Sequence, residues 1–213
     1  HADIARKCIS DGLPVFIEKP LCTSYDDAKL IAVECEVSNV PVLVDHTYLF
    51  DSRFQRMKEE VKRHGKIHSI QSWGGNYGQF KYDPLWDYAP HDVAMCLDIF
   101  GEYPGQTVLR RMKSHVTSGE AIFLWLAWFD TVSEIITGNI FASRSRRCMV
   151  RCDDGKFFTF DDMISRPGIT ESPVANALTV FIDAIHGKKD ERLGVELGVD
   201  VVQVIETAER MAV

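Results

Sequence analysis

The stretch LPVFIEKP, residues 13–20, decides the fold. Val15, Phe16 and Ile17 make an apolar run too short for a helix and suited to a strand buried on both faces, and the charged pair Glu18 and Lys19 ahead of Pro20 ends it. Upstream, Ile4, Ala5, Cys8 and Ile9 fall at helical spacing, with Gly12 as the stop. Downstream, Ser24 is a good N-cap with Asp26 and Asp27 in the first turn, and Ala28, Ile31, Ala32 and Cys35 mark one helical face. After Pro41, Val42, Leu43 and Val44 make a second buried strand. The order helix, strand, helix, strand predicts a parallel α/β unit. A right-handed crossover joins strand to strand, so a further strand is expected before the first helix and the chain is expected to begin inside a domain.

Beyond residue 46 the pattern changes. Phe54, Met57 and Val61 mark a helix over 50–64 that Gly65 ends, a strand follows over 67–77, and a single helix is predicted over 86–100, closed by Gly101. Successive strands are then expected at 107–116, 120–130, 133–142, 145–152 and 156–160, separated by turn signals such as Gly119 and Asp153-Asp154-Gly155. Helices over 173–186 and 194–212 complete the chain. The fold class is thus α/β followed by α+β: a parallel unit over 1–46, then residues 47–213 with a large, mostly antiparallel open sheet covered by helices on one face.

The 213 residues are 46% hydrophobic and 26% charged, an ordinary globular composition that argues against disorder. A net charge of -7 gives no general attraction to nucleic acid or anionic membrane. The short basic cluster Arg144, Arg146 and Arg147 reads as a solvated strand edge. Six cysteines lie scattered without CxxC spacing, which suits reduced thiols in a cytoplasm and no metal; Cys148 and Cys152 would share one strand face. The longest apolar stretches are too short to cross a bilayer, and no signal peptide is visible at the start.

Two features could carry chemistry. Lys19 lies at the carboxyl end of a parallel strand, where open α/β sheets bind ligands, and a partly desolvated ammonium there can hold a substrate oxygen. Taken alone, a Glu-Lys pair more often marks a solvated surface. Asp87 and His91 stand four apart at the predicted start of a helix, on one face, where a carboxylate can orient an imidazole that exchanges a proton near neutral pH. The plainer reading is an acidic residue in a helix first turn. His46 and Tyr48 follow the second strand and reach the same edge; Asn76, Tyr77 and Trp86 could shape the substrate side or simply pack.

The helix before VFIEKP, the helix after it, and LWDYAPHD over 85–92 together resemble the glucose-fructose oxidoreductase, inositol dehydrogenase and rhizopine-catabolism family (Gfo/Idh/MocA). The resemblance implies that residues 1–46 are the C-terminal remainder of a dinucleotide-binding Rossmann domain and that 47–213 form the substrate and oligomerisation domain. It implies an NAD(P)-dependent oxidoreductase acting on a secondary alcohol or ketone of a sugar, nucleotide sugar or cyclitol. His91 would take the hydroxyl proton, Lys19 would hold that oxygen, Asp87 would tune the arrangement, and Glu18, Lys19 and Pro20 would border the NAD or NADP cofactor. A homo-oligomer formed through the open sheet is expected, with Trp125 and Phe129 as exposed aromatics suited to it.

The sequence departs from that family in one respect. No G-x-G-x-x-G occurs, and the cluster Gly74-Gly75-Asn76-Tyr77-Gly78 follows a strand in the wrong region and opens no helix. A segment of about 60 residues or more is therefore expected to be missing, leaving a truncated, weak or inactive dehydrogenase. The alternative is a non-catalytic relic that oligomerises or binds sugar.

Overall fold

A computed structural model describes residues 1–163 and 172–212. Helix α1 (Ala2–Ser10), strand β1 (Val15–Glu18), helix α2 (Tyr25–Ser38) and strand β2 (Val42–Asp45) form the expected unit. Ser24 caps α2 by accepting from Asp27 N, and Asn39 closes it in the left-handed conformation, which asparagine tolerates. The two strands pair in parallel, Val15 with Val42 through Glu18 with Asp45, so both chains reach their carboxyl ends at one edge. Gly194 N donates to Val42 O and covers part of the outer side of β2.

A 3-10 turn (Thr47–Phe50) leads into α3 (Ser52–His64), capped by Asp51, and then into β3 (Ile67–Tyr77). Strands β4 (Gln106–Lys113), β5 (Glu120–Trp128), β6 (Thr131–Gly138), β7 (Ile140–Cys152) and β8 (Phe157–Asp161) complete a six-stranded sheet in the order β4-β5-β6-β3-β7-β8. Its pairings are antiparallel except β3 with β6. The break expected near residue 143 lies instead at Asn139: Gly138 takes a positive φ, and Asn139 N and Oδ1 both engage Glu120, so the chain turns there and β7 runs on unbroken. Helices α6 (Pro173–Ile185) and α7 (Glu196–Met211) match the expected positions.

One face of the sheet is the core. Ile122, Leu124, Leu126 and Trp128 alternate inward along β5, while Phe123 and Trp125 face outward. Each fully buried side chain of this size contributes about 1.5–3 kcal/mol. The helix α5 (Ala89–Phe100) crosses that face against β3 and β6. A smaller cluster around Ile17, Leu21, Ile31 and Val44 draws in Val195 and Val202 from the far end of the chain. Trp86 packs against both clusters. Among the described residues no helix is long and apolar enough to cross a membrane.

Candidate active site

The parallel register sets Lys19 and His46 side by side, each just past the end of its strand. Lys19 Nζ donates to the backbone oxygen of Asp87 and, at 3.1 Å, to Asp87 Oδ1; both side chains are largely buried. Asp87 ends a single-turn helix, α4 (Pro84–Asp87), begun by Asp83, whose Oδ1 accepts from Leu85 N at 2.8 Å. The single helix expected over 86–100 is thus two. Pro90 has no N–H to offer the carbonyl of Trp86, so the regular helical hydrogen bonding breaks at Tyr88 and α5 starts afresh at Ala89. Asp87 and His91 therefore belong to different helices, and the Asp87 carboxylate is tied to Lys19, 68 residues away.

His91 lies in the first turn of α5 with a half-buried ring, and its Nδ1 is sealed from solvent without a partner. The edge of its ring meets Tyr48, with centroids 5.1 Å apart. Burial, followed by the positive charges of Arg146 and Lys19 and by His46 and Arg144, holds its pKa well below the usual histidine value. His46 is 4% exposed, and both of its ring nitrogens are buried without a partner. Burial, aided by Lys19, lowers its pKa to about 4. Its neighbour Asp45 is pushed up to about 6 by burial, with Glu18 adding to the rise and a hydrogen bond from Thr47 opposing it. Both imidazoles are neutral at neutral pH. Asp45 Oδ1 and Tyr88 Oη are further buried atoms without partners. Each unmet polar atom costs about 1–3 kcal/mol, so such a group is what a polar ligand would relieve.

The other sequence-derived candidates divide. Tyr48 belongs to the site, its hydroxyl 3.4 Å from Asp162 Oδ2. Glu18 and Pro20 flank Lys19, with Glu18 exposed and Pro20 O accepting from His1 Nδ1 at 2.8 Å. Trp86 turns its Nε1 to Glu209 on α7 at 3.2 Å and acts as a strut between the two cores. Asn76 directs its Oδ1 at Tyr77 N, at 2.8 Å. A cavity of about 480 Å³ opens beside His46, bounded by Phe50, Lys58, Asp98 and Leu197.

Sequence reasoning missed a buried ion pair. Arg146 is not on a solvated edge: it is 3% exposed and pairs with the fully buried Asp92, whose other oxygen accepts from Ser72 Oγ at 2.6 Å. Arg147, next along the strand, points outward and pairs with Asp161 at 2.6 Å. The inward phase of Cys148 and Cys152 carried the signal, since residue 146 shares it. Gly74 stands opposite Arg146 in the register, and a Cβ there would collide with the guanidinium. Gly75 is likewise filled, by Gly138 O and Phe141. Among the described residues no three His, Cys, Asp or Glu side chains are grouped to hold a metal.

Residues 1–46 match the profile of an oxidoreductase family with an NAD-binding Rossmann fold (GFO_IDH_MocA). A crystal structure from Magnetospirillum magnetotacticum MS-1, of a protein assigned only provisionally as an oxidoreductase, superposes with a TM-score of 0.86 at 28% identity, covering 97% of this chain and 76% of that one. The scyllo-inositol dehydrogenase of Lactobacillus casei with NAD(H) and scyllo-inositol bound superposes with a TM-score of 0.83 at 13% identity, over 99% and 74% of the two chains, a likeness of fold. An uncharacterized protein of Saccharomyces cerevisiae is 28% identical over 126 residues, a match covering 52% of this chain and 36% of the yeast protein.

Proposed function

We propose that this chain is an oxidoreductase of the Gfo/Idh/MocA type and that Lys19, Asp87 and His91 form the substrate end of an NAD(P)-dependent dehydrogenase. Its substrate is a secondary alcohol or ketone of a sugar, nucleotide sugar or cyclitol. The observation that carries this reading is a neutral imidazole without partners at Nδ1 set near a lysine held in place by a carboxylate, all at the ligand edge of a parallel sheet. A neutral imidazole accepts a proton at neutral pH. His91 takes the proton of the substrate hydroxyl and returns it in the reverse direction, while Lys19 donates to the same oxygen and stabilises the charge that develops on it. Asp87 holds the ammonium in position. His46 and Tyr48 border the substrate.

The residues present fit the reacting end of a dinucleotide: the sealed atoms of His46, Asp45 and His91 want polar partners, and Glu18, Lys19 and Pro20 sit beside them. NAD or NADP, when bound, accepts or supplies the hydride. The glycine-rich loop that grips the phosphates in doubly wound folds is not among these 213 residues, so the chain by itself should bind the dinucleotide weakly. Residues 1–46 then serve the cofactor and 47–213 the substrate. The open sheet face, with Val108, Met112, Trp125 and Val132 directed outward, suits a homo-oligomer. Six free cysteines suit a reducing cytoplasm.

Calorimetric titration with NAD+ and NADP+, then with a panel of inositols and sugars, tests the assignment. In an active preparation, Lys19→Ala or His91→Ala should lower turnover by about 10²–10⁴-fold with the fold retained. Near-normal turnover in either variant refutes the site. Sugar binding with no dinucleotide binding or turnover would instead identify a non-catalytic module.

A further inference from the structure

The geometry points to Arg146 as the positioning residue for His91, fixing both the helix turn that carries the imidazole and the aromatic edge against which the imidazole packs. The inference rests on the reading of His91 as the proton acceptor.

Three contacts carry it. Arg146 Nη1 pairs with Asp92, the residue next to His91, and lies 3.4 Å from the backbone oxygen of Tyr88. That same oxygen accepts from His91 N at 3.3 Å, so the guanidinium and the imidazole's own backbone converge on one carbonyl. The guanidinium also stands 5.3 Å over the ring of Tyr48, whose edge-on contact with His91 has been described. The arrangement is rigid. Asp92 is held from its other side by the Ser72 hydroxyl, which lies 3.2 Å from Arg147 O, and Gly74 leaves the space that the guanidinium fills. Both hydrogen bonds come from Nη1, while the flat guanidinium lies over the Tyr48 ring, a contact that the compact lysine ammonium does not reproduce.

The charge acts in the same sense as the packing. The groups facing His91 are Lys19 from the end of β1, His46 from the end of β2, Tyr48 at its ring edge, and Arg144 and Arg146 from β7. After burial, Arg146 is the largest influence keeping the ring unprotonated. Loss of the arginine would therefore both loosen the imidazole and make it easier to protonate.

The test is an NMR titration of the His91 imidazole in this chain, with NOEs between the Tyr48 and His91 rings as the second signal. Arg146→Met combined with Asp92→Asn removes the pair without stranding a buried charge. Its His91 midpoint should rise by about one pH unit or more, so that protonation appears at a pH where the parent shows none. Arg146→Lys retains the charge and provides the reading if the double variant fails to fold: its midpoint should stay low while the Tyr48–His91 NOEs weaken or vanish. A double variant titrating at the parent's midpoint, or Arg146→Lys with the parent's NOEs, overturns the proposal. Neither signal depends on turnover or dinucleotide binding, so failure of the dehydrogenase reading would show separately, as an inactive protein with these responses intact.

Discussion

Asp45 and His46 are adjacent, buried, and titrate with opposite consequences for stability. His46 falls to about 4 in the folded chain, so below its ordinary value of about 6.5 the unfolded chain binds a proton that the folded chain refuses. Stability is lost as pH falls from about 6.5 toward 4. Each pH unit between those two values is worth about 1.36 kcal/mol, so the full loss is about 3 kcal/mol. Asp45, raised to about 6, works the other way: its carboxylate weakens the fold at neutral pH, and protonation on acidification relieves that cost by a similar amount. The two nearly cancel in the parent between pH 6 and 4, and a substitution at either uncovers the other. Urea unfolding of His46→Leu and of the parent at pH 7, 6, 5 and 4 measures the difference directly, with all other titrations common to both chains. The variant should gain about 3 kcal/mol relative to the parent between pH 7 and 4, whatever its offset at pH 7. A difference flat to within about 0.5 kcal/mol over that window would refute the reasoning, because a sealed, unpartnered imidazole cannot be indifferent to protonation.

Other perturbations have distinct outcomes. Gly74→Ala places a methyl group into the Arg146 guanidinium and should cost about 2–4 kcal/mol in chemical denaturation, unlike an ordinary strand Gly→Ala change. Trp86→Ala removes the strut between the two cores and should cost about 2 kcal/mol, with early loss of protection in β1 and β2 by hydrogen exchange. Trp125→Asp, on the outward face of β5 between Val108 and Glu134, should lower the mass measured by light scattering if the open sheet is the subunit interface, while leaving the circular dichroism unchanged.

The run of elements was legible because each rests on local chemistry. Ser24 starts a helix through its side-chain oxygen, Gly65 and Gly101 end helices with a positive φ, and the apolar runs at 15–17 and 42–44 need only to be buried. Lys19 could be placed at a strand end for the same reason. Sequence by itself also determined that β7 would present alternate residues to the core, since a strand's period is fixed by its pleat. It did not determine that an arginine in that inward phase could be buried, because that depends on Asp92 of α5 as its partner and on a glycine 72 positions earlier lying opposite. Nor did it determine the break at Tyr88, where Pro90 removes a helical donor, or the pairing of Asp87 with Lys19. The neutrality of His91 and His46 belongs wholly to the tertiary structure: a histidine's pKa follows from what seals it and which charges stand nearby, and here those come from β1, β2 and β7 together.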